Sequence, residues 1–202
     1  MALIHRATLR PSKIELLSAW LPGRPWYTAT GGELTRVAAY RFDDPAGVVG
    51  IETMLVSDGA GPVYQVPLTY RDTPLDDADA WLMGTTEHST LGKRWVYDAA
   101  GDPVYAAALA GAILANAGQA EEYVEGQSEP RARTMDIAST GTGAAPVVSV
   151  VKRVDGDDPT VIVTDTVELT VVRTLGADLT GIVLTGTWAG QDEPVALASA
   201  VS

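Results

Sequence analysis

Asp102-Pro103 opens the one long stretch of this chain that reads as a helix and nothing else. Asp is placed to cap the first free N–H groups, and Pro stands at the first helical position, where its missing N–H costs nothing. The run continues through Val104, Ala108, Leu109, Ile113 and Leu114 to about residue 122. Its surface is Ala and Gly almost all round, so it has no polar face to turn to water. Such a helix must lie closely against a sheet. Glu121 and Glu122 fall at its expected C-terminal end, where the helix dipole disfavours them, and fraying is expected there.

A shorter helix is predicted over residues 12–21. Ser12 and Glu15 have the spacing of a capping box, Ile14, Leu17 and Leu21 share a face, and Pro22-Gly23 ends the run. Between the helices the signal is strand: 34–42, 48–56, 63–71, then 81–90 and 93–97 hinged near Leu91-Gly92. Asp43-Asp44-Pro45-Ala46-Gly47 divides the first two, and each residue type suits a turn for its own reason. Short connections favour an antiparallel meander. Residues 126–146, ending Ser139-Thr140-Gly141-Thr142-Gly143-Ala144-Ala145-Pro146, read as a linker. Beyond them strands resume over 147–154, 160–164, 167–173, 180–188 and 195–201. The expected fold class is α+β: a curved antiparallel sheet packed by helices over 1–125, then a small, mostly antiparallel β segment over 147–202. Exposed edges in the Val-rich second part could pair between chains into a homodimer.

Composition removes several function classes. With no cysteine there is no disulfide, no thiolate nucleophile and no sulfur-ligated zinc. Only His5 and His88 are available for imidazole chemistry, and each alone reads as a surface or hydrogen-bonded residue. A net charge of -12, with basic residues scattered singly, argues against nucleic acid. No apolar run is long enough to span a bilayer, and the first ten residues lack the apolar region of a signal peptide, so a cytoplasmic protein is expected. Asp72, Asp76, Asp77 and Asp79 miss the spacing of a calcium loop and read as a solvated turn. Gly141-Thr142-Gly143 looks like the start of a phosphate loop, but no Gly-Lys-Ser/Thr follows and Pro146 interrupts the helix it would need. No metal, cofactor or catalytic residue is assigned.

The aromatic residues are the one group with a functional reading. Trp20, Trp26, Tyr27, Trp81, Trp95 and Tyr97 crowd the first half of a chain that has one phenylalanine. They can fill a core, or their faces can stack on sugar rings, and Trp26, Tyr27, Trp81 and Trp95 are the candidate ligand-binding residues.

Trp20-Leu21 through Trp26-Tyr27, then Tyr64-Gln65-Val66-Pro67-Leu68, then Tyr97-Asp98 ahead of the Ala-rich helix, resemble in order and spacing the N-terminal cap of actinobacterial maltokinases. Pro25 stands where that family has an Arg. The resemblance implies a curved antiparallel sheet flanked by helices and a place in maltose–trehalose and glycogen metabolism. Residues 159–173 look like a decayed copy of the family's next sheet, and Thr170 would stand at its ATP-pairing lysine. Threonine cannot neutralise nucleotide phosphates, and Ser202 ends the chain before a catalytic lobe. The resemblance therefore implies a non-enzymatic accessory or regulatory protein of α-glucan metabolism acting on a protein partner. The alternatives are an α-glucan-binding module using the aromatics, or a small carboxylate-based hydrolase or isomerase.

Overall fold

The computed structural model describes residues 2–201. In chain order the elements are β1 Ala2–Ile4, β2 Leu9–Arg10, α1 Lys13–Trp20, β3 Thr35–Phe42, β4 Gly50–Ser57, β5 Tyr64–Arg71, β6 Leu82–His88 and β7 Gly92–Asp98. Then come α2 Pro103–Leu114, β8 Glu122–Val124, β9 Met135–Ser139, β10 Val151–Asp155, β11 Thr160–Thr164, β12 Glu168–Val171, β13 Ile182–Trp188 and β14 Gln191–Val201. The chain is mostly β, with two short α-helices. None of the described helices is long and apolar enough to cross a membrane.

Two six-stranded antiparallel sheets carry the fold. The first, ordered β2-β6-β7-β5-β4-β3, curls into a half-barrel. The second is ordered β10-β11-β12-β14-β13-β9. The expected antiparallel meander holds for β3, β4 and β5, but β5 then pairs with β7 and β6 lies on the far side of β7. The last hairpin is thus inserted in reverse order, and strand ends move by one or two residues. Ser12 and Glu15 form the capping box that starts α1. Leu16 and Leu17 of α1 pack on Met54, Val56, Val66, Leu68 and Val96, on one face of the half-barrel.

The other face meets α2, and so does the second sheet. Tyr40, Phe42, Ile51 and Leu55 of the first sheet, Tyr105, Leu109 and Ile113 of α2, and Ile162, Leu169, Val171, Leu184 and Leu197 of the second form one apolar core. This explains a helix without a polar face. Its alanines let two sheets approach one helix closely, and each large apolar side chain buried there contributes about 1.5–3 kcal/mol.

Helix α2 stops at Leu114 rather than near residue 122, so Glu121 and Glu122 lie outside it. Asn116 (φ 49°) and Gly118 (φ 74°) turn the backbone left-handed just past its end. The carbonyls of the last turn then find partners in the stretch expected to be a linker. Ser139 Oγ donates to the Ile113 carbonyl and the Gly143 N–H to that of Leu114. A Cβ on Gly141 would lie 2.0 Å from the Ile113 carbonyl oxygen, so only glycine can sit there. The Gly-Thr-Gly run is thus the cap of a helix C-terminus. Within the same stretch, β9 forms an edge of the second sheet by pairing with β13.

The sheets are also joined through polar groups. Backbone bonds run from the Gln65 N–H to the Arg173 carbonyl (2.7 Å) and from the Leu175 N–H to the Val63 carbonyl (2.9 Å). The Gln65 side-chain amide donates to the carbonyls of Val172 and Leu197. Arg173 itself is 1% exposed. Its Nη2 donates to both carboxylate oxygens of Asp98 (3.1 and 3.0 Å), and its Nε donates to Thr160 Oγ1 (2.8 Å). Asp98 lies on the first sheet and Arg173 just beyond β12 of the second, so this buried pair spans the junction.

Arg173→Met leaves the Asp98 carboxylate buried without its cation and should cost about 3–5 kcal/mol of stability by urea unfolding. A cost below about 1 kcal/mol would contradict the role given to the pair.

Candidate functional site

The four aromatic residues singled out from the sequence do not share one surface. Trp26 and Tyr27 come together in the segment after α1. The Trp26 ring centroid lies 6.0 Å from both Trp20 and Tyr64, and the Tyr27 ring lies 4.9 Å from Tyr64. The Arg173 guanidinium stands 5.5 Å from the Trp26 ring and that of Arg24 4.5 Å from Trp20. Hydrogen bonds fix this shelf: the Tyr27 hydroxyl donates to Asp58, and the Tyr64 hydroxyl both donates to and accepts from the Thr28 backbone. Trp26 and Tyr27 keep part of their surface open, so the shelf covers the junction and still presents aromatic faces.

Trp81 and Trp95 lie elsewhere, and among the described residues no ring contact joins them to the shelf. Trp81 packs against the turn before α2. A Cβ on Gly101 would lie 2.3 Å from its ring, so that glycine is required by the ring's position. Trp95, in the middle of β7, is crossed by Lys93, whose Nζ stands 4.8 Å from its ring.

Two carboxylates buried in the first half, Asp102 and Glu52, are engaged with cations of the same half. Arg71 makes a two-pronged bond to Asp102 (2.8 and 2.7 Å), and Asp102 also accepts from the Val104 N–H as the cap of α2. On the α1 face of the half-barrel, Glu52 accepts from Lys13 Nζ and from the Tyr70 hydroxyl, with Arg41 Nη1 3.5 Å away. Burial by itself would raise the Glu52 pKa. The charges of Lys13 and Arg41 and the bonds from Lys13 and Tyr70 outweigh it, pulling the pKa down to about 2.

The two histidines, 83 positions apart (88 − 5), meet in space. Strand β1 pairs with β8, and β2 pairs Leu9 with His88, so the N-terminal segment is laid along β6. The imidazole centroids stand 5.9 Å apart, edge to face. His88 Nδ1 accepts from the Thr90 and Leu91 N–H groups, which places the proton of the neutral ring on Nε2. His5 Nδ1 lies 3.2 Å from a Glu125 carboxylate oxygen. Both rings line a cleft of about 730 Å³ beyond the first residue of α1, together with Lys13, Arg41, Tyr70 and Arg94. Nothing in the residue spacing pointed to this meeting, because it depends on the β2–β6 pairing of a two-residue strand.

Because the Glu52 pKa is lowered by folding, its contribution to stability is present above the ordinary carboxylate range and is lost as pH falls toward 2. Between about pH 7 and pH 3, Glu52→Gln should therefore lose less unfolding free energy than the parent chain. Equal losses in the two proteins, measured by urea unfolding, would contradict this assignment.

No curated protein matches this chain. Residues 20–102, the segment from the end of α1 through the N-cap of α2, match the family described as the maltokinase N-terminal cap domain, and that segment is similar to such a cap.

Proposed function

We propose that this protein is a non-catalytic accessory or regulatory protein of α-glucan metabolism, of the maltose–trehalose kind, acting in the cytoplasm by contact with another protein. The observation that carries the reading is the match of residues 20–102 to a cap domain, the non-catalytic N-terminal region of maltokinases. The disposition of the buried charges supports it. Asp98, Asp102 and Glu52 are each held by cations of the same chain, and each ties strands or a helix end together. Groups spent in this way are poorly placed to act on a substrate. In this role the cap presents a surface, and the second sheet gives that surface a rigid support.

The half-exposed shelf of Trp20, Trp26 and Tyr27 favours a second reading, an α-glucan-binding module. Indole faces stack on sugar rings, and Trp20 and Trp26, edge to face with centroids 6.0 Å apart, keep part of their surface open beside Tyr27.

Adding the purified chain to a maltokinase and following ATP-dependent maltose phosphorylation tests the first reading. A saturable change in rate, with co-sedimentation of the two proteins, is expected. An unchanged rate and separate sedimentation, with a maltokinase and with a glucan-building transferase alike, would contradict it. Titration with maltose, maltooligosaccharides and glycogen under tryptophan fluorescence separates the readings. A saturable response abolished by Trp26→Ala would move the function to glucan binding.

A further inference from the structure

The cleft at the N-terminal end of α1 carries a charge arrangement that the cap fold does not need. The half-barrel's other end is filled by Leu16, Leu17 and Leu21, whereas this end is open. Its volume, about 730 Å³, is that of a small-molecule site, and the mouths of β-barrels are a recurrent place for one.

Its floor holds more positive than negative charge. Lys13 and Arg41 share the single carboxylate of Glu52, leaving one cation in excess. Arg41 Nε is buried and donates to no protein atom. Arg94 stands on the wall, where its Nη2 donates to the Leu91 carbonyl. His5 and His88 complete that side. In a chain of net charge -12, this grouping of cations is local and specific.

Three acids also line the cleft, Asp43 and Asp44 on the β3–β4 turn and Asp72 after β5. Asp44 is occupied by its own turn, accepting from the Ala46, Val48 and Val49 N–H groups. The cleft therefore draws its cations from α1, β3 and β7 and its acids from the β3–β4 turn and the end of β5. Two large apolar side chains exposed to solvent, Val48 (59%) and Leu91 (44%), flank the opening.

We propose that this cleft is a binding site for a small organic anion, with its carboxylate or phosphate group seated against Arg41, Lys13 and Arg94 and its uncharged body between Val48 and Leu91. Arg41 and Arg94 supply fixed forks of donors suited to an oxyanion, and Lys13 supplies a point charge. The imidazoles add two N–H donors that strengthen as they protonate. His88 titrates below its ordinary range because its ring is partly buried and faces His5, Arg94 and Lys13. A bound anion offsets the repulsion from those groups, and its expected effect is to raise the His88 midpoint. The site is independent of any role in glucan metabolism.

The chain's only two histidines both line the cleft, so their imidazole C–H resonances report on it without labelling elsewhere. The probes are inorganic phosphate, acetate, phenyl phosphate and benzoate, with chloride at matched ionic strength as the control. The expected result is a saturable shift of both histidine signals with at least one oxyanion, tighter for the phenyl form than for its bare counterpart. The phosphate and carboxylate arms then show which head group is preferred. Arg94→Gln removes a half-buried cation outside the Glu52 knot, and it should weaken that binding about tenfold. Shifts no larger than those given by chloride, for all four probes, would overturn the proposal. Binding that Arg94→Gln leaves unchanged would overturn it equally.

Discussion

A fully buried arginine holds this fold in register. Arg173 leaves the second sheet, crosses the junction and donates to Asp98 on the β7 strand of the first sheet, while its backbone carbonyl receives the Gln65 N–H of β5. Removing a guanidinium from water is costly, and the cost is offset here by Asp98, Thr160 and the face of Trp26. Those partners belong to three separate stretches of the chain. The pair exists only when the sheets stand in one relation to each other, so it favours that relation over looser apolar packings. Gln65, donating to two carbonyls of the second half, adds a neutral constraint of the same kind.

With the sheets so placed, the character of α2 is accounted for. It is buried from both sides, and its alanines set how near each sheet can come. The helix ends at Leu114 because the chain must turn back there, and Ser139, Gly141 and Gly143 close its C-terminus. The segment 20–102 that matches the cap family thus shares its core with α2 and the second sheet. Asp98 and Asp102, at the end of the matched segment, take one partner from the second half and one from the first.

Local chemistry made much of the fold legible in the residues. Ser12 with Glu15, Asp102 with Pro103, and the Asp-Pro-Gly turns all act within a few positions, and each appears where expected. The β3–β4–β5 meander came from alternation and turn residues, whereas the placing of β7 rather than β6 beside β5 had no local signal. The end of α2 was missed because Ala117, Gln119 and Ala120 continue a helical composition around Asn116 and Gly118, which turn the chain left-handed. It was missed also because the groups that cap its last carbonyls lie about twenty-five residues on, at Ser139 and Gly143. Strand β9 was missed for a related reason: Met135–Ser139 is short and gains its strand conformation from pairing with β13. Site residues were less legible still. Trp81 and Trp95 looked equivalent to Trp26 in sequence, yet of the four candidates only Trp26 and Tyr27 share a ring partner, Tyr64. His5 and His88 looked unrelated, and the pairing of a two-residue strand brings them together.

The shared core and the Arg173–Asp98 pair make the two sheets and α2 one cooperative body. Native-state amide hydrogen exchange across a urea series tests this most directly, comparing β4 and β5 of the first sheet with β11 and β12 of the second. The slowest amides of both sheets should share one unfolding free energy and one dependence on urea. Exchange of β11 and β12 through a separate, lower-energy opening that leaves β4 and β5 protected would contradict it.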